Sequence, residues 1–177
     1  VHVAGQPLVR RTAQTAIDSG CSSVVVVLGS AAAVVRTAVD DLPVRCVTNP
    51  SWMEGVGNSI ACGVRVVADH QLAGCLVLPC DQIMLTAVIL TALVNRFRQG
   101  DEQVVASRYA GTVGPPAIFA PELFGHLMQL RGDNGAKRIL QASSRTATVN
   151  FPGGELDIDT EEDLRKTRTI VRNTPKK

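Results

Sequence analysis

Hydrophobic positions along this chain fall into short blocks, and the type of block alternates. "SSVVVVLG" (22–29) is a β-branched run of strand length closed by glycine, which predicts a strand buried on both faces. "VRCVTN" (44–49), "GCLVLPCD" (74–81), "QVVASRYA" (103–110), "PAIFA" (116–120) and "TATVNF" (146–151) predict further strands. The blocks between them have helical character. Residues 7–19 place a proline in the first turn and Gly20 just past the end. The alanine-rich "SAAAVVRTAVDD" (30–41) predicts a helix with Ser30 as N-cap. In "GVGNSIACGVRVVADH" (55–70) the helix is expected from about Asn58, with Ile60, Val64 and Val67 on one stripe. "TAVILTALVNRFRQ" (86–99) predicts an amphipathic helix capped by Thr86. Shorter helices are expected at 121–130 and 135–142. A final helix is expected from Thr160, where "TEED" supplies a cap and acid for the first turn.

Strands alternating with helices predict an α/β three-layer sandwich with a mostly parallel sheet, here as one domain over 1–177. Ligands of such sheets bind beyond the carboxyl ends of the strands. Composition narrows the picture. At 45% hydrophobic and 19% charged the chain suits a packed core and not a disordered one. Aromatics make up only 3%, so that core must be built from Val, Leu, Ile and Ala. A net charge of +2 with no basic stripe argues against nucleic-acid binding. No apolar run reaches membrane-spanning length, and "VHVAGQPLVRR" lacks the apolar stretch of a secretion signal, so the cytoplasm is the expected location. Cys21, Cys46, Cys62, Cys75 and Cys80 form no CxxC pair, mostly lie in apolar runs, and are expected to be reduced, buried thiols. The scattered His2, His70 and His126 offer no zinc site.

The chemistry lies where charge meets the strand ends. "LVLPCDQIML" ends an apolar run on Asp81, a costly placement unless a partner or a cation meets the carboxylate. "ELDIDTEED" (155–163) carries Asp157 and Asp159 just before the last expected helix. A strand-end aspartate alone often serves only as a cap or turn residue, and a glycine loop alone is often punctuation. Two acidic sites at strand ends together suit one Mg²⁺, which takes one or two carboxylates and completes its shell with substrate phosphates. Three further segments accompany them: the glycine-punctuated "NPSWMEGVGNSIACG" (49–63), the rigid turn expected at "GTVGPP" (111–116), and "LRGDNGAKR" (130–138).

In this order the segments resemble the MocA-like molybdenum cofactor cytidylyltransferases, within the wider MobA-like nucleotidyltransferases. "NPSWMEGVGNSIACGV" is similar to that family's Asn…Trp…Gly…Ser…Gly segment, and "LVLPCDQI" to its strand ending in Asp-Gln-Pro. "GPPAIF", "LRGDNGAKRIL" and "LDIDTEEDL" resemble its Gly-x-Pro turn, its Gly-Asp-x-Gly-Ala-Arg helix start and its Asp-Ile-Asp-Thr-Pro-Glu-Asp-Leu close. The resemblance implies a Rossmann-like sheet of the nucleotide-diphospho-sugar transferase type. It also implies transfer of CMP from CTP to a phosphorylated molybdopterin-type acceptor, with release of pyrophosphate. By resemblance, Asp81 and Asp157 bind Mg²⁺, with Asp159 the second candidate for the Asp157 role. Ser59 and the Gly55 and Gly57 backbone read base and ribose, Gly114 and Pro115 shape the acceptor side, and Asp133 and Lys137 close over the acceptor. A molybdoenzyme or its chaperone is the expected protein partner.

A MobA-type guanylyltransferase using GTP, and a non-catalytic nucleotide-binding or cofactor-maturation protein, stay open as alternatives. Three departures bear on the choice. Ile83 stands where the family has Pro, and Lys137 where it has Arg, which keeps the charge and loses the two-pronged donor. The resemblance also begins just after the family's opening strand and its glycine-rich loop, Leu-Ala-Ala-Gly-x-Ser-x-Arg-Met-Gly-x-x-Lys. That loop would hold the triphosphate on backbone N–H groups, so an inner strand and a phosphate cradle are expected to lie upstream of Val1.

Overall fold

The computed structural model describes residues 1–158 except 4, 69 and 70, together with residue 163. The expected final helix from Thr160 and the candidate Asp159 lie outside the described residues. A small antiparallel ribbon of β1 (His2–Val3) and β2 (Gln6–Pro7), absent from the sequence expectation, leads into α1 (Leu8–Asp18). Next come β3 (Val25–Leu28), α2 (Ala32–Thr37), β4 (Arg45–Thr48), a 3-10 turn at Trp52–Glu54 and α3 (Val56–Ala68). β5 (Cys75–Val77) and α4 (Ala87–Gln99) follow, then β6 (Val104–Tyr109) and β7 (Thr112–Phe119). A 3-10 turn at Pro121–Leu123 runs into α5 (Phe124–Met128), and α6 (Lys137–Ala142) and β8 (Thr146–Asn150) complete the order.

Thr86 caps α4 as expected, its hydroxyl accepting from the Ile89 N–H at 3.4 Å. Four expectations are corrected. Ser30 does not cap α2: the N-cap is Ala31, held at a left-handed φ of 52° with no side-chain bond, and the helix is shorter than the alanine run suggested. α3 begins at Val56 rather than Asn58, because Asn58 turns inward, with its side chain bonded to Glu54 and to Gly132. "GTVGPP" is not a turn: Thr112 onward is strand, and the reversal is made by Ala110 and Gly111, both at positive φ, a two-residue hairpin. The cysteines are not fully buried: Cys80 is exposed and the other four are half-buried, with Cys46 and Cys75 on strands that pair on one side only among the described residues, Cys62 on α3, and Cys21 and Cys80 in loops.

β5, β6 and β8 share one direction and β7 alone opposes them in the order β5-β7-β6-β8, so that sheet is mostly parallel in sense; β3 and β4 form a second, parallel pair. The neighbouring faces of β6 and β7 separate two cores. Val104, Ala106, Ala117 and Phe119 pack with Val64, Phe124 and Leu127 on one face. Val105 and Ile118 pack with Leu90, Leu93 and Ala16 on the other. This is the expected three-layer sandwich. α3 packs across β3, β4 and β5, while α1 and α4 pack together, with α4 also against the four-stranded sheet. No helix among the described residues is long and apolar enough to cross a membrane.

Candidate active site

β5 ends at Val77, and Pro79 cannot continue a ladder because it lacks an N–H. The chain therefore leaves the sheet and delivers Asp81 to its carboxyl rim, where the residue is half-buried. A second segment meets it there. Gln82 and Asp157 form an isolated antiparallel bridge, and the Ile158 N–H donates to the Asp81 carbonyl at 3.2 Å. Two carboxylates 76 positions apart in sequence (157 − 81) thus share one edge.

Gln82 fastens this meeting. Its side chain is 5% exposed. Its Nε2 donates to the Pro115 carbonyl at 3.1 Å and to the Gly154 carbonyl at 2.9 Å. Burial, and then the Asp157 carboxylate, push the Tyr109 phenol above its ordinary value, with Asp81 and Glu155 adding in the same sense and the nearby Gln82 amide opposing. Tyr109 packs edge-on against Phe151, ring centroids 6.0 Å apart. Gly114 is needed beside it, since a β-carbon there would lie 2.5 Å from the Tyr109 hydroxyl oxygen.

The expected base-reading segment is a second assembly. Asn49 is 4% exposed at the end of β4 and donates to the Ser59 hydroxyl at 3.1 Å, while its Oδ1 accepts from the Ser51 N–H. Gly55 and Gly57 are committed to a neighbouring loop. Gly57 N–H donates to the Gly132 carbonyl at 2.8 Å, and Asn58 Oδ1 accepts from the Gly132 N–H at 2.8 Å. A β-carbon on Gly55, at φ 120°, would fall 2.3 Å from the Gly132 carbonyl carbon and 2.6 Å from the Asp133 nitrogen. This brings Asp133, exposed on that loop, beside the glycine segment. Exposed Lys137 begins α6 just beyond.

A cavity of about 700 Å³ links the two assemblies: Ser59, Pro115, Lys137 and Cys80 all line it. Its walls are otherwise mainly the aliphatic residues of β3, β5, α1 and α3. Sequence reasoning gave no role to Asn49, Asn58, Gln82 or Tyr109. Gln82 and Asn49 stood inside recognised segments, and Tyr109 is the chain's single tyrosine at a strand end.

Two carboxylates on one rim are a donor set that fits a hard divalent cation completing its shell with phosphate and water. No group of three or more His, Cys, Asp or Glu suited to a metal occurs among the described residues, which sets the site apart from an all-protein metal cage.

The chain is 33% identical over 122 residues to the purine catabolism protein PucB of Bacillus subtilis, covering 67% of this chain and 58% of that protein. It is 32% identical over 114 residues to the nicotine blue oxidoreductase of Paenarthrobacter nicotinovorans, covering 64% of this chain and 54% of that one. The alignments thus span little more than half the length of these relatives. Among solved structures, Rv0371c of Mycobacterium tuberculosis in complex with manganese superposes with a TM-score of 0.81 at 23% identity, covering 96% of this chain and 89% of that one. A nucleotidyl transferase from Methanothermobacter superposes at 0.80 and 19% identity, covering 98% and 85%. Residues 1–148 match the MobA-like NTP transferase domain, and this chain belongs to that family.

Proposed function

We propose that this chain transfers CMP from CTP to a phosphorylated molybdopterin-type acceptor, releasing pyrophosphate. The observation that carries the reading is the Gln82–Asp157 bridge, which holds Asp81 and Asp157 at one strand end. A bound Mg²⁺ would neutralise the charge of the triphosphate and of the leaving pyrophosphate. Asp81 and Asp157 would hold that cation, and Asp159 is the other candidate ligand on the second segment. The remaining work is positioning, which phosphoryl chemistry needs more than a strong base. Ser59, oriented by Asn49, would bind the base or ribose at the mouth of the cavity. Because Gly57 N–H is already bonded to Gly132, the glycine segment would act by fixing the 131–134 loop rather than by offering that donor to the nucleotide. Asp133 and Lys137 on and beyond that loop, with Pro115 across the cavity, would border the acceptor. A molybdoenzyme or its chaperone would receive the product.

The test measures pyrophosphate release from CTP and from GTP, with Mg²⁺ or Mn²⁺ and a molybdopterin acceptor, for the chain and for Asp81→Asn and Asp157→Asn. Release with CTP, abolished in both variants, is expected. Faster release with GTP moves the reading to guanylyl transfer. Nucleotide binding with no release under any condition favours a maturation protein without catalysis.

A further inference from the structure

Gln82 lies between a proposed cation ligand and the buried Ile83, and it joins β7 to the segment that carries Asp157. Its backbone bridges Asp157, and its Nε2 holds the Pro115 carbonyl of β7 and the Gly154 carbonyl of the turn that carries the chain to Asp157. An amide suits this place because one nitrogen carries two donors, and two carbonyls from different segments need them. Leucine would fill the volume and leave both carbonyls without these donors. Glutamate would present acceptors to acceptors and add a third negative charge. These side-chain bonds tie the turn before Asp157 to β7, and they add to the Gln82–Asp157 backbone bridge and the Ile158 N–H bond to the Asp81 carbonyl that hold the two segments side by side.

We propose that Gln82 is a positioning residue that sets the spacing of Asp81 and Asp157 and thereby the affinity of the rim for a divalent cation. The proposal rests on the reading that these two carboxylates hold the cation, and it assigns Gln82 no contact with substrate. Removing a side chain that orients a metal ligand typically costs about 10- to 100-fold in metal affinity.

The test is Mn²⁺ binding to the full chain at neutral pH, followed by the electron paramagnetic resonance of free Mn²⁺ with no acceptor present. The variants are Gln82→Leu, Gln82→Asn, Asp157→Asn and Leu93→Ala, the last removing a fully buried α4 side chain. Expected is saturable Mn²⁺ binding by the unaltered chain, loss in Asp157→Asn, and about tenfold weakening in Gln82→Leu. Gln82→Asn keeps both donors on a shorter arm and should fall between them; it carries the test if Gln82→Leu does not fold. Leu93→Ala should lower the melting temperature and leave Mn²⁺ affinity unchanged, which separates positioning from general loosening. Unchanged affinity in both Gln82 variants, with loss in Asp157→Asn, overturns the role of Gln82 and leaves the carboxylate site standing. Equal weakening by Leu93→Ala also overturns it. No Mn²⁺ binding by the unaltered chain overturns the cation reading and this proposal together.

Discussion

Replacing Gly55 with alanine tests whether the glycine segment is a structural latch. At φ 120° the backbone lies in a region that side chains rarely enter, at a cost of about 1–3 kcal/mol. The new β-carbon would lie 2.4 Å from the Gly132 carbonyl oxygen and 2.6 Å from the Asp133 nitrogen. Both are backbone atoms, so the 131–134 loop has to move away. That movement breaks the Gly57–Gly132 and Asn58–Gly132 bonds, each 2.8 Å long, at about 1 kcal/mol apiece. The sum is about 3–5 kcal/mol, a large share of the roughly 5–15 kcal/mol that holds a domain together. For a chain of this size it lowers the melting temperature by on the order of 10 °C. The assay is thermal unfolding followed by circular dichroism, with Gly125→Ala as control. A β-carbon at Gly125 meets nothing within 4 Å, and alanine is the better helix former by about 1 kcal/mol. A Gly55→Ala chain that melts within about 2 °C of the parent would refute the latch, given the size dependence above.

Two further outcomes are expected. Burial, and secondarily Cys21, raises the Cys75 thiol from 9.0 to about 11. The unfolded chain therefore loses that proton first, so the contribution is intact below pH 9 and declines as pH rises toward 11, by at most about 1.4 kcal/mol per pH unit. Urea midpoints between pH 8 and pH 10.5 should fall less steeply in Cys75→Val than in the parent; equal slopes refute the assignment. In hydrogen exchange, every amide of Val104–Ser107 should be protected, because β6 has a partner on each side. Alternate amides of β3 and β5 should exchange fast, because each of these strands pairs on one side only among the described residues; uniform protection along β3 would contradict that topology.

The strand-end position of Asp81 was legible in the sequence because its signal is local. An acid placed directly after an apolar run calls for a strand-end position, and Asp81 takes one, half-buried, where Pro79 ends the ladder. That Asp157 would meet it was not local: their meeting depends on a backbone bridge and on the Gln82 amide, and a buried amide gives no periodic signal. Gly55 and Gly57 were read from the resemblance as backbone that meets base and ribose; the group that approaches them here is the Gly132 backbone. The "GTVGPP" segment misled because glycine and proline usually punctuate turns. Here Gly114 makes room for Tyr109, and the register of β7 against β6 shifts between Ala106 and Ser107 to accommodate the prolines.

The strand cores show what an apolar run reports and what it leaves open. Val25–Val27 read as buried on both faces and Cys75–Val77 as a buried strand, yet all six residues are only half-buried. α3 packs on both strands, and all six residues line the cavity of about 700 Å³. Each strand is also open along one backbone edge, because β3 pairs only with β4 and β5 only with β7 among the described residues. Side-chain alternation encodes faces and carries no record of edge pairing. The cavity of about 700 Å³ bordered by those edges is therefore walled mainly by aliphatic side chains. Such walls supply neither donors for a base nor charge for a triphosphate, so its volume alone does not make it a nucleotide pocket. The polar chemistry gathers instead around Ser59, Pro115, Lys137 and the strand end that leads to Asp81. A nucleotide bound by this chain should accordingly protect the Asp81–Ile83 and Ser59 amides from exchange while leaving Val25–Val27 unchanged.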